Sequence, residues 1–333
     1  MPRESIKVKP LRKRERVLKT FAGEEVDRRP FTFWFPYGLS HMKGESLAAA
    51  ALSFAATYNL DILRLPLVRD FPLKEQTSFD RPHDLTLLEP LPGHSGFWSE
   101  RLEALQLIYK MAEKKLAIFE TIPGPLTTLG YLCRPELLKQ TETKHPQFLE
   151  KALSAVTDSF KNYLKPVLKS ECLDGLVLEI ETATFEQREP EAFESLVKPY
   201  LRELLNFVTQ ESEIPIWIQV KGTRIYLENI LDLPHQAISW PHLSAGPKME
   251  KAFPKEYRGV IAGGIDEIAL QTMSFQDIRR HVEEARNHHV SILSVGDSLP
   301  TSTSPSRLKA LSSFLSKRDR PPEDKPARTE PGY

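Results

Sequence analysis

The chain has 333 residues, enough for one elaborated barrel or two ordinary domains, and its 45 Lys plus Arg balance 45 Asp plus Glu to a formal charge of zero. A neutral chain has no global field to draw it to nucleic acid or to an anionic membrane surface, so neither partner is expected. Its apolar runs are strand-sized, short of the ~20 residues of a membrane span, and its opening stretch lacks the apolar centre of a signal peptide, so the expected compartment is the cytoplasm.

The basic stretch Lys7 to Arg16 runs into Val17, Leu18 and Phe21 and reads as a partly solvated helix entering the domain rather than a nucleic-acid arm. Eight short apolar runs follow, at Phe31 to Phe35, Asp61 to Leu65, Leu116 to Phe119, Gly175 to Glu181, Pro215 to Val220, Ala237 to Trp240, Gly259 to Ala262 and Ser291 to Val295. Helical patterns lie between and after them, at Glu45 to Tyr58, Ser99 to Lys114, Pro146 to Lys169, Pro190 to Gln210, Arg224 to Leu231, Phe275 to His288 and Pro305 to Leu315. Pro146, Pro190 and Pro305 suit first helical turns, Ser274 with Asp277 has capping-box spacing, and Pro166 should kink its helix or end it early. Strands alternating with helices predict an α/β protein, a (β/α)₈ TIM barrel over residues 1–316. The tail at 317–333 is too rich in charge and proline to bury surface and is expected to be disordered.

Cys133 and Cys172, the only cysteines, form no CxxC pair or Cys/His cluster and read as small core fillers in a reducing compartment. The insertion Arg69 to Trp98, rich in proline and polar residues, is expected as a lid or substrate wall, with Arg69, Arg81, His83 and His94 available to an anionic substrate.

Active sites of such barrels form at the C-terminal strand ends and the loops after them. The polar residues standing there are Tyr37, His41, Arg64, Arg69, Glu120, Glu179, Glu181, Gln219, Lys221, Ser239, His242, Asp266 and Asp297. In LDGLVLEIE, strand alternation puts Glu179 and Glu181 on one face, where two acids can hold a cation, split their pKa values, bind basic substrate groups or simply pair with Lys221. In IPIWIQVKG, Gln219 and Lys221 share a face, and the lysine can bind an anion or partner a glutamate; nothing in the sequence favours a Schiff base. GVIAGGID lacks dinucleotide-loop spacing, and Asp297 follows a buried strand on a glycine-bracketed turn.

The segments RERVLKTFAGEEVDRRP, IFETIPGPLTTLGYL, EPEAFESLVKPYLRELL, IQVKG, GGID and SVGDSLPTSTSPSRLKAL, in that order, resemble the uroporphyrinogen decarboxylase superfamily, decarboxylases of tetrapyrrole synthesis and corrinoid-linked zinc methyltransferases, over about Arg14 to Leu315. The resemblance implies a deep polar cleft and places Tyr131 at the family's substrate-facing tyrosine. It also shows departures: Phe35 and Leu39 stand where decarboxylases carry an arginine pair, Leu67 where they carry an essential aspartate, Glu181 near their serine and Asp297 at their late histidine. Gln219, Lys221 and Asp297 stand where the methyltransferases hold zinc, which removes a thiolate site and leaves only a harder cation between Glu179, Glu181 and Asp297 as a metal alternative.

The resulting expectation is a decarboxylase-like enzyme without metal or organic cofactor, acting on an anionic small molecule such as a tetrapyrrole. Asp297 or Glu181 is the proton donor, Tyr131 a positioning donor, and Arg64, Arg69, Glu179, Gln219, Lys221 and His41 the substrate contacts. The alternatives are a methyltransferase working with a corrinoid protein and a non-catalytic tetrapyrrole or corrinoid carrier. A homodimer is a further expectation of the family resemblance.

Overall fold

The computed structural model describes residues 9–34, 42–67, 69, 71–73, 79–249, 257–287 and 289–318. Eight short parallel strands form one sheet: β1 Phe31–Thr32, β2 Ile62–Arg64, β3 Ala117–Pro123, β4 Gly175–Ile180, β5 Ile216–Val220, β6 Ala237–Ser239, β7 Val260–Ile265 and β8 Ile292–Val295. Ladders run unbroken from β2 through to β8, and β8 pairs with β1, Phe31 opposite Leu293 and Thr32 opposite Ser294. Among the described residues no ladder joins β1 and β2. That seam is laced by Asp61 N–H donating to Phe31 C=O (3.1 Å), Thr32 Oγ1 donating to Ile62 C=O (2.9 Å) and Phe31 N–H donating to the Asp61 carboxylate (2.9 Å). Nearly every strand residue is buried, because one face meets the barrel interior and the other meets helices, which is why the strands read as continuous apolar runs. The predicted TIM barrel is the observed fold.

Helices α1 Lys13–Phe21, α2 Gly44–Thr57, α3 Phe97–Ala112, α4 Pro125–Leu132, α5 Pro135–Lys144, α6 Pro146–Lys169, α7 Pro190–Ala192, α8 Lys198–Glu211, α9 Phe275–Asn287 and α10 Pro305–Leu315 surround the strands, with a π-turn, Phe193–Val197, joining α7 to α8. α6 buries Leu149, Leu153, Val156, Phe160, Leu164 and Val167 along one stripe. Pro166 does not end it early: the helix runs on to Lys169 and closes when Ser170 N–H donates to Pro166 C=O (3.1 Å). The capping box at α9 is present, Asp277 N–H donating to Ser274 Oγ (3.2 Å) and Ser274 N–H to Asp277 (3.3 Å).

Three expectations need correction. The stretch 224–231 is not a helix but a single 3₁₀ turn, Leu227–Asn229, because Ile225 bridges to Thr184 and Tyr226 N–H donates to Ala183 C=O, pinning the segment to the chain after β4. β3 runs four residues past Phe119, and β7 continues through both glycines. Pro125 and Pro135 each open a helix, α4 and α5, where no helix was expected.

Arg16 and Val17 of α1 are buried, as the entering-helix reading requires. Arg16 Nη1 (2.7 Å) and Arg28 Nη1 and Nη2 (2.6 and 3.0 Å) donate to the fully buried Asp61 carboxylate, while Arg16 also grips Asp27 through Nε (2.7 Å) and Nη2 (2.9 Å). This two-by-two charge cluster ties the N-terminal helix and the start of β1 to the foot of β2. Both cysteines are buried and free. Among the described residues no helix is long and apolar enough to cross a membrane, and only 317 and 318 of the expected tail are described.

Candidate active site

The site forms at the C-terminal mouth, where inward-facing residues of neighbouring strands meet. Glu179 on β4 and Gln219 on β5 are register partners, and two residues further along each chain stand Glu181 and Lys221. The alternation read from LVLEIE and IWIQVKG therefore holds. Lys221 Nζ lies 2.7 Å from Glu179 Oε2, 3.3 Å from Asp297 Oδ1 and 3.7 Å from Glu181 Oε1, its side chain 9% exposed. Burial alone would drive the lysine pKa down, but Glu179, then Asp297 and Glu181, outweigh it and raise it above the ordinary value. Lys221 is thus an ammonium enclosed by carboxylates.

Beneath it, Arg64 at the end of β2 is buried on Trp34, its guanidinium carbon 3.9 Å from the ring centre. Its Nε donates to Thr121 Oγ1 (3.1 Å) and its Nη2 to Glu179 Oε1. Burial pulls the Arg64 pKa down to about 10, with Glu179 and Asp297 opposing. Gln219 Nε2 donates to Gly296 C=O (3.0 Å).

Above it, Tyr131 on α4 donates its hydroxyl to Glu181 Oε1 (2.8 Å). Burial, and next the Glu181 charge, push the phenol well above its usual range. The Arg69 guanidinium sits 5.2 Å from the Tyr131 ring centre and makes no ion pair among the described residues. Arg69, Glu181, Gln187, Lys221, Gly222, Asp297 and Ser298 line an open cavity of about 320 Å³. Asp297 Oδ1 accepts from Ser298 N–H (2.6 Å) and Oγ (3.2 Å), which fixes the carboxylate on its turn.

The structure therefore brings Arg64, Arg69, Tyr131, Glu179, Glu181, Gln219, Lys221 and Asp297 together. Other candidates lie elsewhere. Glu120 points out of the barrel, because β3 continues past it and its inward neighbour is Thr121; buried, it pairs with Arg101 Nε (2.7 Å). Asp266 is turned away to accept from Ile268 and Ala269 N–H (3.0 and 2.9 Å). Ser239 is buried and accepts from Trp217 Nε1 (2.8 Å), and His242 is buried.

Of the insertion's described basic residues only Arg69 lines the cavity. Arg81 pairs with Asp84, His83 packs edge-on to Phe148 at 5.6 Å, and His94 lends its carbonyl to Ser99. The insertion is strapped to α6 instead, Leu91 N–H donating to Ser159 Oγ and Asn162 Nδ2 to Leu91 C=O (both 2.9 Å). Tyr37 and His41 lie outside the described residues.

Glu267 was missed by the sequence reading. It is buried, accepts from Ser244 Oγ (2.9 Å) and Gly296 N–H (3.0 Å), and burial raises its pKa from the ordinary value. It supports the Gly296–Asp297 turn. GGID directs attention to Asp266 one residue earlier, and only the path of the chain after β7 shows which acid turns inward.

A metal does not fit this arrangement. The Lys221 ammonium occupies the space between Glu179, Glu181 and Asp297, and among the described residues no sulfur or imidazole joins them. Among the described residues no group of three or more His, Cys, Asp or Glu is placed to hold a metal ion.

Comparison with solved structures gives a methyltransferase from Methanosarcina mazei, TM-score 0.74 at 17% identity, covering 92% of this chain and 98% of that one. A GH113 β-1,4-mannanase follows with TM-score 0.48 at 12% identity, covering 87% and 99%. No curated protein matches the sequence. The first of these shows the barrel alone, but the sequence model of the uroporphyrinogen decarboxylase (URO-D) family matches residues 70–317, most of the barrel and every site residue above except Arg64 and Arg69. Residues 70–317 carry the β3 to β8 strands and the whole carboxylate ring around Lys221, and on that match the chain belongs to the URO-D family.

Proposed function

We propose that this protein is an enzyme that decarboxylates a carboxylate-bearing small molecule without metal or organic cofactor, Lys221 delivering the proton that replaces CO₂. The observation that carries the reading is the enclosed Lys221 ammonium at the floor of an open cavity. When the C–CO₂ bond breaks, its electron pair remains on carbon and takes a proton from Nζ. The neutral amine then regains one from water in the cavity. Groups that already carry protons at the floor are Lys221 and Tyr131, whereas Glu181 and Asp297 accept hydrogen bonds. That favours the lysine over the Asp297 or Glu181 donor expected from sequence.

Arg69, with no acidic partner among the described residues, is suited to hold a substrate carboxylate, and Tyr131 to orient Glu181 beneath it. Arg64 and Glu179 are each about 98% buried and act behind the lysine rather than on the substrate. The test is a panel of carboxylates, uroporphyrinogen under anaerobic conditions among them, incubated in D₂O and analysed for CO₂ and for one deuterium at the former carboxyl carbon. Lys221→Met should retain binding and lose CO₂ release; unchanged turnover refutes the assignment.

The near end-to-end superposition on the Methanosarcina mazei methyltransferase favours a second reading, methyl transfer with a corrinoid partner. Demethylation of methylcobalamin without CO₂ release would select it. Tight tetrapyrrole or corrinoid binding with neither reaction would select a carrier.

A further inference from the structure

We propose that Arg64 is a positioning residue that sets the proton affinity of Lys221 by sharing the Glu179 carboxylate with it. This rests on the reading that Lys221 delivers a proton, but its test does not. Three contacts fix Arg64: the Trp34 face at 3.9 Å, Thr121 Oγ1 at 3.1 Å and Glu179 Oε1. Glu179 turns its other oxygen to Lys221 at 2.7 Å. One buried carboxylate therefore bridges two buried cations, and the attraction that each enjoys is offset by repulsion from the other.

The charged and titratable groups facing Lys221 come from every side of the mouth. Glu179 and Glu181 stand on and after β4, Asp297 after β8, Tyr131 on α4 behind Glu181, Arg69 across the cavity and Arg64 below. The three carboxylates that surround the ammonium among the described residues hold its proton firmly, and without an opposing charge they would hold it more firmly still. Arg64 is the counterweight set deepest in the barrel, where low polarity makes its charge felt most. The planar guanidinium stacks on the indole while its N–H groups reach sideways to Thr121 and Glu179.

The experiment uses the full chain without substrate. Competitive acetylation at pH 9, read by mass spectrometry, gives the reactivity of Lys221 relative to an exposed lysine such as Lys115, and reactivity tracks the fraction of free amine. Arg64→Met removes a repelling charge, so the Lys221 pKa should rise and its reactivity fall about tenfold. Arg64→Lys should stay near wild type. Glu179→Gln should raise reactivity, and by more than Asp297→Asn, because Glu179 is the nearer carboxylate. Unchanged or increased reactivity in Arg64→Met overturns the proposal, as does an Arg64→Lys protein that behaves like Arg64→Met. Should Arg64→Met fail to fold, the Glu179→Gln and Asp297→Asn pair decides, and an effect of Asp297→Asn at least as large as that of Glu179→Gln overturns it. Normal turnover by Lys221→Met would refute the proton-donor reading while leaving these reactivities as they are.

Discussion

Asp61→Asn is an isosteric change that should destabilise the barrel more than any surface substitution. Asp61 is fully buried and takes hydrogen bonds from Arg16, both terminal nitrogens of Arg28 and the Phe31 amide. Two arginines and two aspartates balance in the cluster; the variant leaves Asp27 alone against both cations, and of the two arginines Asp27 pairs with Arg16, its other hydrogen bond coming from Leu11 N–H. Arg28 is then a buried guanidinium without a carboxylate, and the introduced amide N–H₂ must face a donor. Breaking a buried pair in this way costs roughly 3–5 kcal/mol. With a urea m-value of about 3 kcal/mol/M, that lowers the unfolding midpoint by about 1–1.7 M. Tryptophan fluorescence can follow the transition, since Trp217 and Trp240 are wholly buried. Glu24→Gln, which breaks the exposed Lys19–Glu24 pair, is the control and should leave the midpoint in place. A shift below about 0.3 M for Asp61→Asn would refute the argument that this cluster holds α1 and β1 to the barrel.

Other outcomes can be checked directly. Gly222 adopts φ +111°, and an added Cβ would lie 2.7 Å from Thr184 Cγ2, so Gly222→Ala should cost about 1–3 kcal/mol and displace Lys221 beside it, seen as a lower thermal midpoint and weaker turnover. Tyr131→Phe removes the donor to Glu181 and should lower kcat about tenfold with little change in the unfolding midpoint; an unaltered kcat would remove the phenol from the mechanism. His235 has its pKa lowered by burial, with the Leu233 carbonyl and Asp232 opposing, so the unfolded chain binds the proton more readily. Its contribution to stability is complete above the unfolded value near 6.5 and is lost as pH falls below that value toward the lowered folded one. His235→Gln should flatten that part of the stability–pH curve.

The barrel was legible because each strand is buried on both faces and helices alternate with strands, so composition and order alone trace the architecture. Strand parity also carried most of the site: Glu179, Glu181, Gln219 and Lys221 lie where alternation puts them. What failed was whatever depends on where a strand stops. Glu120 looked like a strand end, but Thr121 to Pro123 extend β3 and turn the acid outward. Asp266 and Glu267 exchanged roles for a similar reason, and the helix expected at 224–231 was overridden by the Thr184–Ile225 bridge. The insertion's charges were visible, but its strapping to α6 is a long-range contact that local pattern does not encode. The role of Arg64 is of the same kind, since nothing near it in sequence announces Trp34 beneath or Glu179 beside it.

The unladdered seam between β1 and β2 has a kinetic consequence. Seven joints of the barrel are held by repeated backbone pairing, while among the described residues this one rests on a carboxylate, a hydroxyl and one amide–carbonyl bond. β1 reaches its ladder partner β8 only across almost the whole chain, so ring closure is the contact with the largest loop to close and should come last in folding. The same joint should come apart first. Transient opening would then run along a line from Asp61 at the foot toward Trp34 and Arg64 beneath the mouth, and the stiffness of the candidate site becomes a property of how well the barrel's two ends are fastened.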